Sequence, residues 1–192
     1  MLRPQINAYR YEAACDEAGR GALAGPVFAA AVVFPKDFSL AELNDSKQLD
    51  AEQRTRLAKQ IKDHSLGWAV AWVNAKNIDK INILQASILA MHKSLERIHC
   101  PIEHIAIDGN YFKSYKNIPH TCVVKGDEQF QHIAAASILA KTTRDAYMIR
   151  MHKQYPQYQW YQNKGYPTRV HRQAIGIYGK TSRHRLSFLC RN

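Results

Sequence analysis

Three short strand-like runs in this chain, the first of mixed aromatic and small residues and the other two apolar, each lead into an acid within three residues of a glycine, and that recurrence constrains the fold more than any other feature. Tyr9 to Cys15 runs into Asp16-Glu17-Ala18-Gly19-Arg20-Gly21, Ile105-Ala106-Ile107 into Asp108-Gly109-Asn110, and Thr121-Cys122-Val123-Val124 into Lys125-Gly126-Asp127-Glu128. Apolar runs of this length, punctuated by turn residues, read as strands. If their ends share one rim of a sheet, Asp16, Glu17, Asp108 and Asp127 converge. Two like charges about 5 Å apart repel by roughly 3 kcal/mol at an effective dielectric of about 20. Hard divalent cations held by oxygen ligands offset such repulsion and also serve phosphodiester chemistry. The alternative for Asp16-Glu17 is a solvated turn, and for Asp127 a helix cap that satisfies free amides. Side chains alternate across a strand, so Asp16 enters a site from the strand and Glu17 from the start of the turn. Gly19 and Gly21 let backbone N–H groups approach a ligand closely, with Arg20 as a cation between them.

The other elements fit round these strands. Gly25-Pro26 opens a second apolar strand that closes at Phe34-Pro35. A polar connection to Asp50 carries Asn44-Asp45-Ser46-Lys47, where Asp45 or Ser46 caps a turn or Ser46 and Lys47 hold a phosphate. A charged helix follows over residues 51–64, then a third strand over 66–73 in an antiparallel meander. Residues 77–98 read as one helix with Leu84, Ile88, Met91, Leu95 and Ile98 in a core stripe. A helix from Ile133 to about Gln154 has an apolar half to bury and a basic half to expose. Thr168 to Tyr178 reads as a short helix. The expected architecture is α/β: a mixed five-stranded sheet flanked by helices, in one domain with a core to about residue 154 and a helical extension beyond.

Charge is unevenly placed. The 192 residues carry a formal +11, yet residues 141–192 alone hold eleven Lys or Arg against one acid, Asp145. Tyr155, Tyr158, Trp160, Tyr161, Tyr166 and Tyr178 lie among these cations. Cations and π faces so mixed suit a nucleic-acid backbone and its bases; the alternative is a basic face kept for solubility. His171 and His184, in this quarter, read as phosphate or solvent contacts. Asp145 reads as half of a structural ion pair. Four cysteines without C-x-x-C spacing argue against zinc and against a disulfide framework, and no run is long and apolar enough to span a bilayer. A cytoplasmic, reduced protein is expected. Phosphate-loop, zinc-protease and serine-hydrolase motifs are absent.

The motifs in order, Asp16-Glu17-Ala18-Gly19-Arg20-Gly21 with Gly25-Pro26, Asp45-Ser46-Lys47, Ile81-Asn82-Ile83-Leu84-Gln85-Ala86, Asp108-Gly109-Asn110, Lys125-Gly126-Asp127, Ala135 to Lys141, Gly165-Tyr166-Pro167-Thr168 and His184-Arg185, together resemble bacterial ribonuclease HII. The resemblance implies an RNase H-like fold and hydrolysis of the RNA strand of RNA/DNA hybrids with Mg2+ or Mn2+. It also implies incision 5′ to a single ribonucleotide in duplex DNA, leaving 3′-hydroxyl and 5′-phosphate ends, by a monomer that removes misincorporated ribonucleotides and RNA primers. By the same resemblance Asp16, Glu17, Asp108 and Asp127 bind two metal ions. Gly19, Arg20 and Gly21 read the ribose 2′-hydroxyl, Tyr166 packs on the sugar, and Ser46 and Lys47 belong to a phosphate-contacting loop. Gln48 and Asp50 depart from the residues the family often has there, which bears only on peripheral phosphate contacts. Two other readings stay open: a non-catalytic nucleic-acid-binding module, and a DNA nuclease of the same fold. A DNA nuclease has no use for 2′-hydroxyl readout.

Overall fold

The computed structural model describes residues 2–36, 38–45 and 49–188. Five strands, β1 (Glu12–Ala18), β2 (Val27–Val33), β3 (Gly67–Val73), β4 (His104–Asp108) and β5 (His120–Val123), form one sheet in the order β3-β2-β1-β4-β5. The first three pair antiparallel; β1, β4 and β5 run parallel. This is the expected mixed five-stranded sheet. Its helices are α1 (Ala51–His64), α2 (Ala75–Ile81), α3 (Ile83–Leu95), α4 (Gln131–His152), α5 (Trp160–Asn163) and α6 (Arg169–Tyr178).

β2 is buried along its whole length, as expected of an apolar run without polar alternation. Its residues divide between two cores. Ala29, Ala31 and Val33 join Cys15, Ile105 and Ile107 under Ile88, Met91 and Leu95 of α3. Ala30 and Val32 join Leu57 and Ile61 of α1 and Ile138 and Leu139 of α4 on the other face. Helices therefore cover both faces, each buried Leu or Ile side chain contributing about 1.5–3 kcal/mol. The alanines of β2 leave room for both layers. Among the described residues no helix is long and apolar enough to cross a membrane.

Several local expectations change. β1 starts later than expected and runs through Asp16 and Glu17 to Ala18, because β2 pairs with it as far as Ala18↔Phe28. The helix expected over 77–98 is two helices that meet at Asn82, whose backbone (φ 63°, ψ 168°) is not helical. The Asn82 side chain accepts the Gln85 amide at 3.1 Å and so caps α3. The core stripe survives because it lies almost wholly within α3. α1 is capped by Asp50, in a reciprocal capping box with Gln53; Ser46, Lys47 and Gln48, and with them the turn-cap and phosphate readings of Ser46 and Lys47, lie outside the described residues.

The second half of α4 is not simply exposed: Arg144, Met148 and Met151 are buried. The C-terminal segment covers them, with Tyr158, Trp160 and Ala174 packed on Met148 and Met151. A loop expected at 155–165 contains a 3-10 turn (Pro156–Tyr158) and α5. At the other end of α4, the amides of Gln131 and His132 donate to the carbonyls of Arg3 and Pro4. The N-terminal arm thus supplies the cap that no side chain provides.

Replacing Asn82 by Ala removes the α3 cap and leaves a β-carbon residue at positive φ without a local hydrogen bond. The substitution should cost about 2 kcal/mol, read from the urea midpoint; an unchanged midpoint would refute the role given to this residue.

Candidate active site

The parallel register of β1 and β4 builds the acidic rim. Cys15 lies opposite Ile107, so Asp16 and Asp108 are the next residues on neighbouring strands and share the α4 face of the sheet. Asp16 is 5% exposed. Its Oδ1 accepts the Glu17 amide at 2.6 Å, and the Ser137 hydroxyl of α4 donates to the same carboxylate. Burial, then the charges of Glu17 and Asp108, push Asp16 well above the usual carboxylate range. Glu17 is raised too, chiefly by burial and against the pull of Arg20, whose Nη1 lies 3.2 Å from Oε1. Asp108 Oδ1 accepts the Gly126 amide at 2.7 Å.

Asp127 follows Gly126 directly, in a 3-10 turn (Gly126–Glu128) between β5 and α4. Because α4 begins at Phe130-Gln131, Asp127 does not cap it, and the capping alternative falls away. Asp145 pairs with Lys141 at 2.9 Å, one turn away, rather than with its neighbour Arg144. Ser46 and Lys47 cannot be placed, as they lie outside the described residues.

Beyond Ala18, the Gly19-Arg20-Gly21 loop turns over two buried guanidinium groups. Gly19 has φ +94°, and a β-carbon there would fall 2.0 Å from Arg144 Nε, so both the turn and the close packing require glycine. Arg144 donates from Nε to the Pro26 carbonyl and from Nη2 to the Ala24 carbonyl, and its guanidinium lies 5.1 Å from the centre of the Tyr166 ring. Lys141 approaches the same ring at 5.7 Å. Gly165, next to Tyr166, accepts the Leu23 and Ala24 amides through its carbonyl. Tyr166 is thereby fixed beside the glycine loop although 145 residues separate it from Gly21 in sequence.

His171 and His184 are not phosphate or solvent contacts, as expected from their basic surroundings; both are buried. The Thr181 amide donates to His184 Nδ1, which leaves the proton of His184 on Nε2, facing His171 Nε2 at 3.2 Å. Trp160 Nε1–H also donates to His171 Nε2, so His171 carries its proton on Nδ1 and gives it to the Tyr166 carbonyl at 2.9 Å. Both imidazoles are neutral in this relay. Burial lowers both; with His171 beside it, His184 falls to about 4. The relay fixes the backbone of Tyr166.

The structure brings Asp16, Glu17 and Asp108 to one rim and ties Tyr166 beside the glycine loop, but sequence reasoning gave no holding role to the residues that secure them: Ser137, Arg144, Arg185 and the imidazole pair. Nothing in a local window distinguishes a buried Arg from the exposed basic residues around it. Only the adjacency of His184 and Arg185 hinted at a role.

The rim offers only carboxylate oxygens, the donor set that Mg2+ and Mn2+ prefer. Among the described residues no three acidic, imidazole or thiol groups already form a metal cage. The carboxylates are instead turned to protein donors: Asp16 to Glu17 N–H and Ser137, Glu17 to Arg20, Asp108 to Gly126 N–H. Burial raises both Asp16 and Glu17; the charges of Glu17 and Asp108 add to it at Asp16, and that of Asp108 adds to it at Glu17 against the pull of Arg20, a repulsion that a cation would relieve. The residues fit a hard divalent cation in chemistry and in charge.

Sheet order, helical layers and acidic rim place the chain among the α/β nucleases of the ribonuclease H kind. RNase HII of Archaeoglobus fulgidus, solved as a complex with PCNA, shares the fold with a TM-score of 0.79 and 23% identity, over 95% of this chain and 96% of that one. Bst-RNase HIII in complex with Mn2+ shares it with a TM-score of 0.75 and 18% identity, over 93% of this chain and 67% of that one. The family model described as Ribonuclease HII matches residues 13–191. Ribonuclease HII of Bacteroides fragilis is 55% identical over 188 residues, 98% of this chain and 94% of its own length. The chain belongs to the ribonuclease HII family. It is a hydrolytic nuclease with RNase H activity on RNA/DNA hybrids.

Asp16→Asn should raise stability by about 1–2 kcal/mol in metal-free buffer at pH 8, because it removes a buried charge from a repulsive cluster. The gain should fade as pH falls and the wild-type carboxyl takes up its proton; destabilisation at pH 8 would instead mark Asp16 as a structural acid. The imidazole relay has the opposite sign. Its neutral form contributes fully above pH 6.5, and that stability is lost as pH falls towards 4, where the unfolded chain binds protons that the folded relay refuses. The stability difference between wild type and His184→Gln should therefore shrink by roughly 3 kcal/mol between pH 7 and 4, measured by urea unfolding; a difference constant with pH would contradict the neutral relay.

Proposed function

We propose that this chain, besides cutting the RNA strand of hybrids, incises duplex DNA on the 5′ side of a single embedded ribonucleotide and leaves 3′-hydroxyl and 5′-phosphate ends. Asp16, Glu17, Asp108 and Asp127 would hold two divalent cations, Mg2+ or Mn2+. The observation that carries the reading is the meeting, at one sheet rim, of the repelling Asp16, Glu17 and Asp108 carboxylates with the glycine loop strapped to Tyr166. When bound, the cations supply Lewis-acid activation of a water and stabilise the leaving oxygen.

The chain's own residues do the rest. Ser137 and the Glu17 amide orient the Asp16 carboxylate, and the Gly126 amide orients Asp108. Arg20, half exposed at the end of its contact with Glu17, exchanges that carboxylate for substrate. The loop amides and Tyr166 read the sugar, where the 2′-hydroxyl is the group that separates ribose from deoxyribose. Exposed Arg150, Arg169, Arg172, Lys180 and Arg183 give the duplex backbone a basic track, and Ser46 and Lys47 add phosphate contacts. The enzyme acts as a cytoplasmic monomer in removing misincorporated ribonucleotides and RNA primers.

An end-labelled DNA duplex with one ribonucleotide, incubated with Mg2+, Mn2+ or EDTA beside an all-DNA control, tests this reading. Wild type should give one metal-dependent cut 5′ to the ribonucleotide and none in the control. Asp16→Asn should reduce cleavage to the control level while duplex affinity stays within about twofold, since the basic surface is untouched. Cutting of the control would point to a DNA nuclease, and binding without any cut to a non-catalytic module.

A further inference from the structure

Arg185 has no exposed surface, and 164 residues separate it in sequence from Gly21, yet it sits beneath the glycine loop. Its Nη2 donates to the Gly19 carbonyl and its Nη1 to the Arg20 carbonyl, both at 2.7 Å, while Nε donates to the Gly25 carbonyl at 3.0 Å. Its own backbone is tied to the same loop, the Arg185 amide donating to the Leu23 carbonyl and the Gly25 amide to the Arg183 carbonyl. Arg144 takes the Ala24 and Pro26 carbonyls. The two guanidinium groups thus turn five carbonyls of the loop inward. Neither forms an ion pair with a carboxylate among the described residues, and Arg144 Nη1 has no hydrogen-bond partner among them.

A peptide unit is planar and trans, so its C=O and N–H point in opposite directions. With the Gly19 and Arg20 carbonyls drawn towards Arg185, the N–H groups of Arg20 and Gly21 face away from it, towards the open side of the loop. We propose that Arg185 is a positioning residue for ribose recognition: it holds two successive carbonyls inward so that two successive amides meet the substrate sugar. The proposal rests on the reading that this loop contacts the ribose. It explains why the position carries a guanidinium. A planar fork with donors on three nitrogens can meet three fixed carbonyls at once, whereas an ammonium on a flexible stem cannot match that plane. Two buried cations with no carboxylate in ion-pair contact among the described residues, Asp145 and Asp79 acting on them only from further off, also leave a positive potential under the loop, where a polyanion binds.

Arg185→Lys keeps the charge and removes the fork, and three measurements on wild type and variant separate positioning from general stability. These are the melting temperature, affinity for an all-DNA duplex, and single-turnover cleavage of a duplex with one ribonucleotide beside a long RNA/DNA hybrid. Misplaced amides should slow the single-ribonucleotide cut by about 100-fold. The hybrid, gripped through several riboses, should lose about tenfold less, with DNA affinity within about twofold and the variant still folded at the assay temperature. Guanidinium chloride at low millimolar concentration should restore part of the activity of Arg185→Ala and none of that of Asp16→Asn. Wild-type rates in Arg185→Lys, or parallel loss on both substrates and in DNA affinity as the protein melts, would overturn the proposal. A wild type that does not cut at the single ribonucleotide would overturn the underlying reading as well, and that result is visible without any variant.

Discussion

The parallel pairing of β1 with β4 is the constraint from which the rest of the site follows. Once Cys15 stands opposite Ile107, Asp16 and Asp108 become neighbours on one face, and β-sheet geometry leaves them little room to separate. Burial of Asp16 under α4 then removes the water that would have screened it, and the protein compensates with donors to the pair, the Glu17 amide and Ser137 to Asp16 and the Gly126 amide to Asp108. These donors orient the carboxylates without neutralising them. The carboxylates stay repulsive, the charges of Glu17 and Asp108 both acting to raise Asp16.

A second constraint comes from the far end of the chain. The segment after α4 folds back over its basic half, and its backbone is bonded to residues 23–25 through Gly165, Arg183 and Arg185. Buried arginines and a neutral imidazole pair fill the space beneath, where an apolar core would have been the ordinary solution. Taking such groups out of water is costly unless each donor finds an acceptor. Here, Arg144 Nη1 excepted, the acceptors are mainly backbone carbonyls of the glycine loop and of Tyr166, so stabilising the C-terminal segment and shaping the loop are largely the same set of bonds. Acids from the sheet and the Gly19-Arg20-Gly21 loop with Tyr166 are held by different parts of the chain yet meet at one rim.

Much of this was legible in the residues. Apolar runs gave the strands, the continuous burial of β2 followed from its Ala and Val content, and the positions of Asp16, Glu17 and Asp108 were readable because each follows such a run. The helix break at Asn82 was not legible, since Asn is an ordinary helix-surface residue until its backbone turns to positive φ and its side chain caps the next helix. Arg144, His171 and His184 were misread for a related reason: their types favour solvent, and only their partners, 118 residues away for Arg144 and Pro26, make burial tolerable.

By itself the sequence determined most element types, the sheet flanked by helices and the placing of acids at strand ends, because these rest on periodicity and on side-chain chemistry within a few residues. The family motifs added the expectation of a ribonuclease. Tertiary structure alone decided which face the acids share, that Asp127 caps no helix, and that Arg185 lies under Gly19 and Arg20. Those outcomes depend on strand register and on contacts between residues more than a hundred positions apart, which no local pattern encodes.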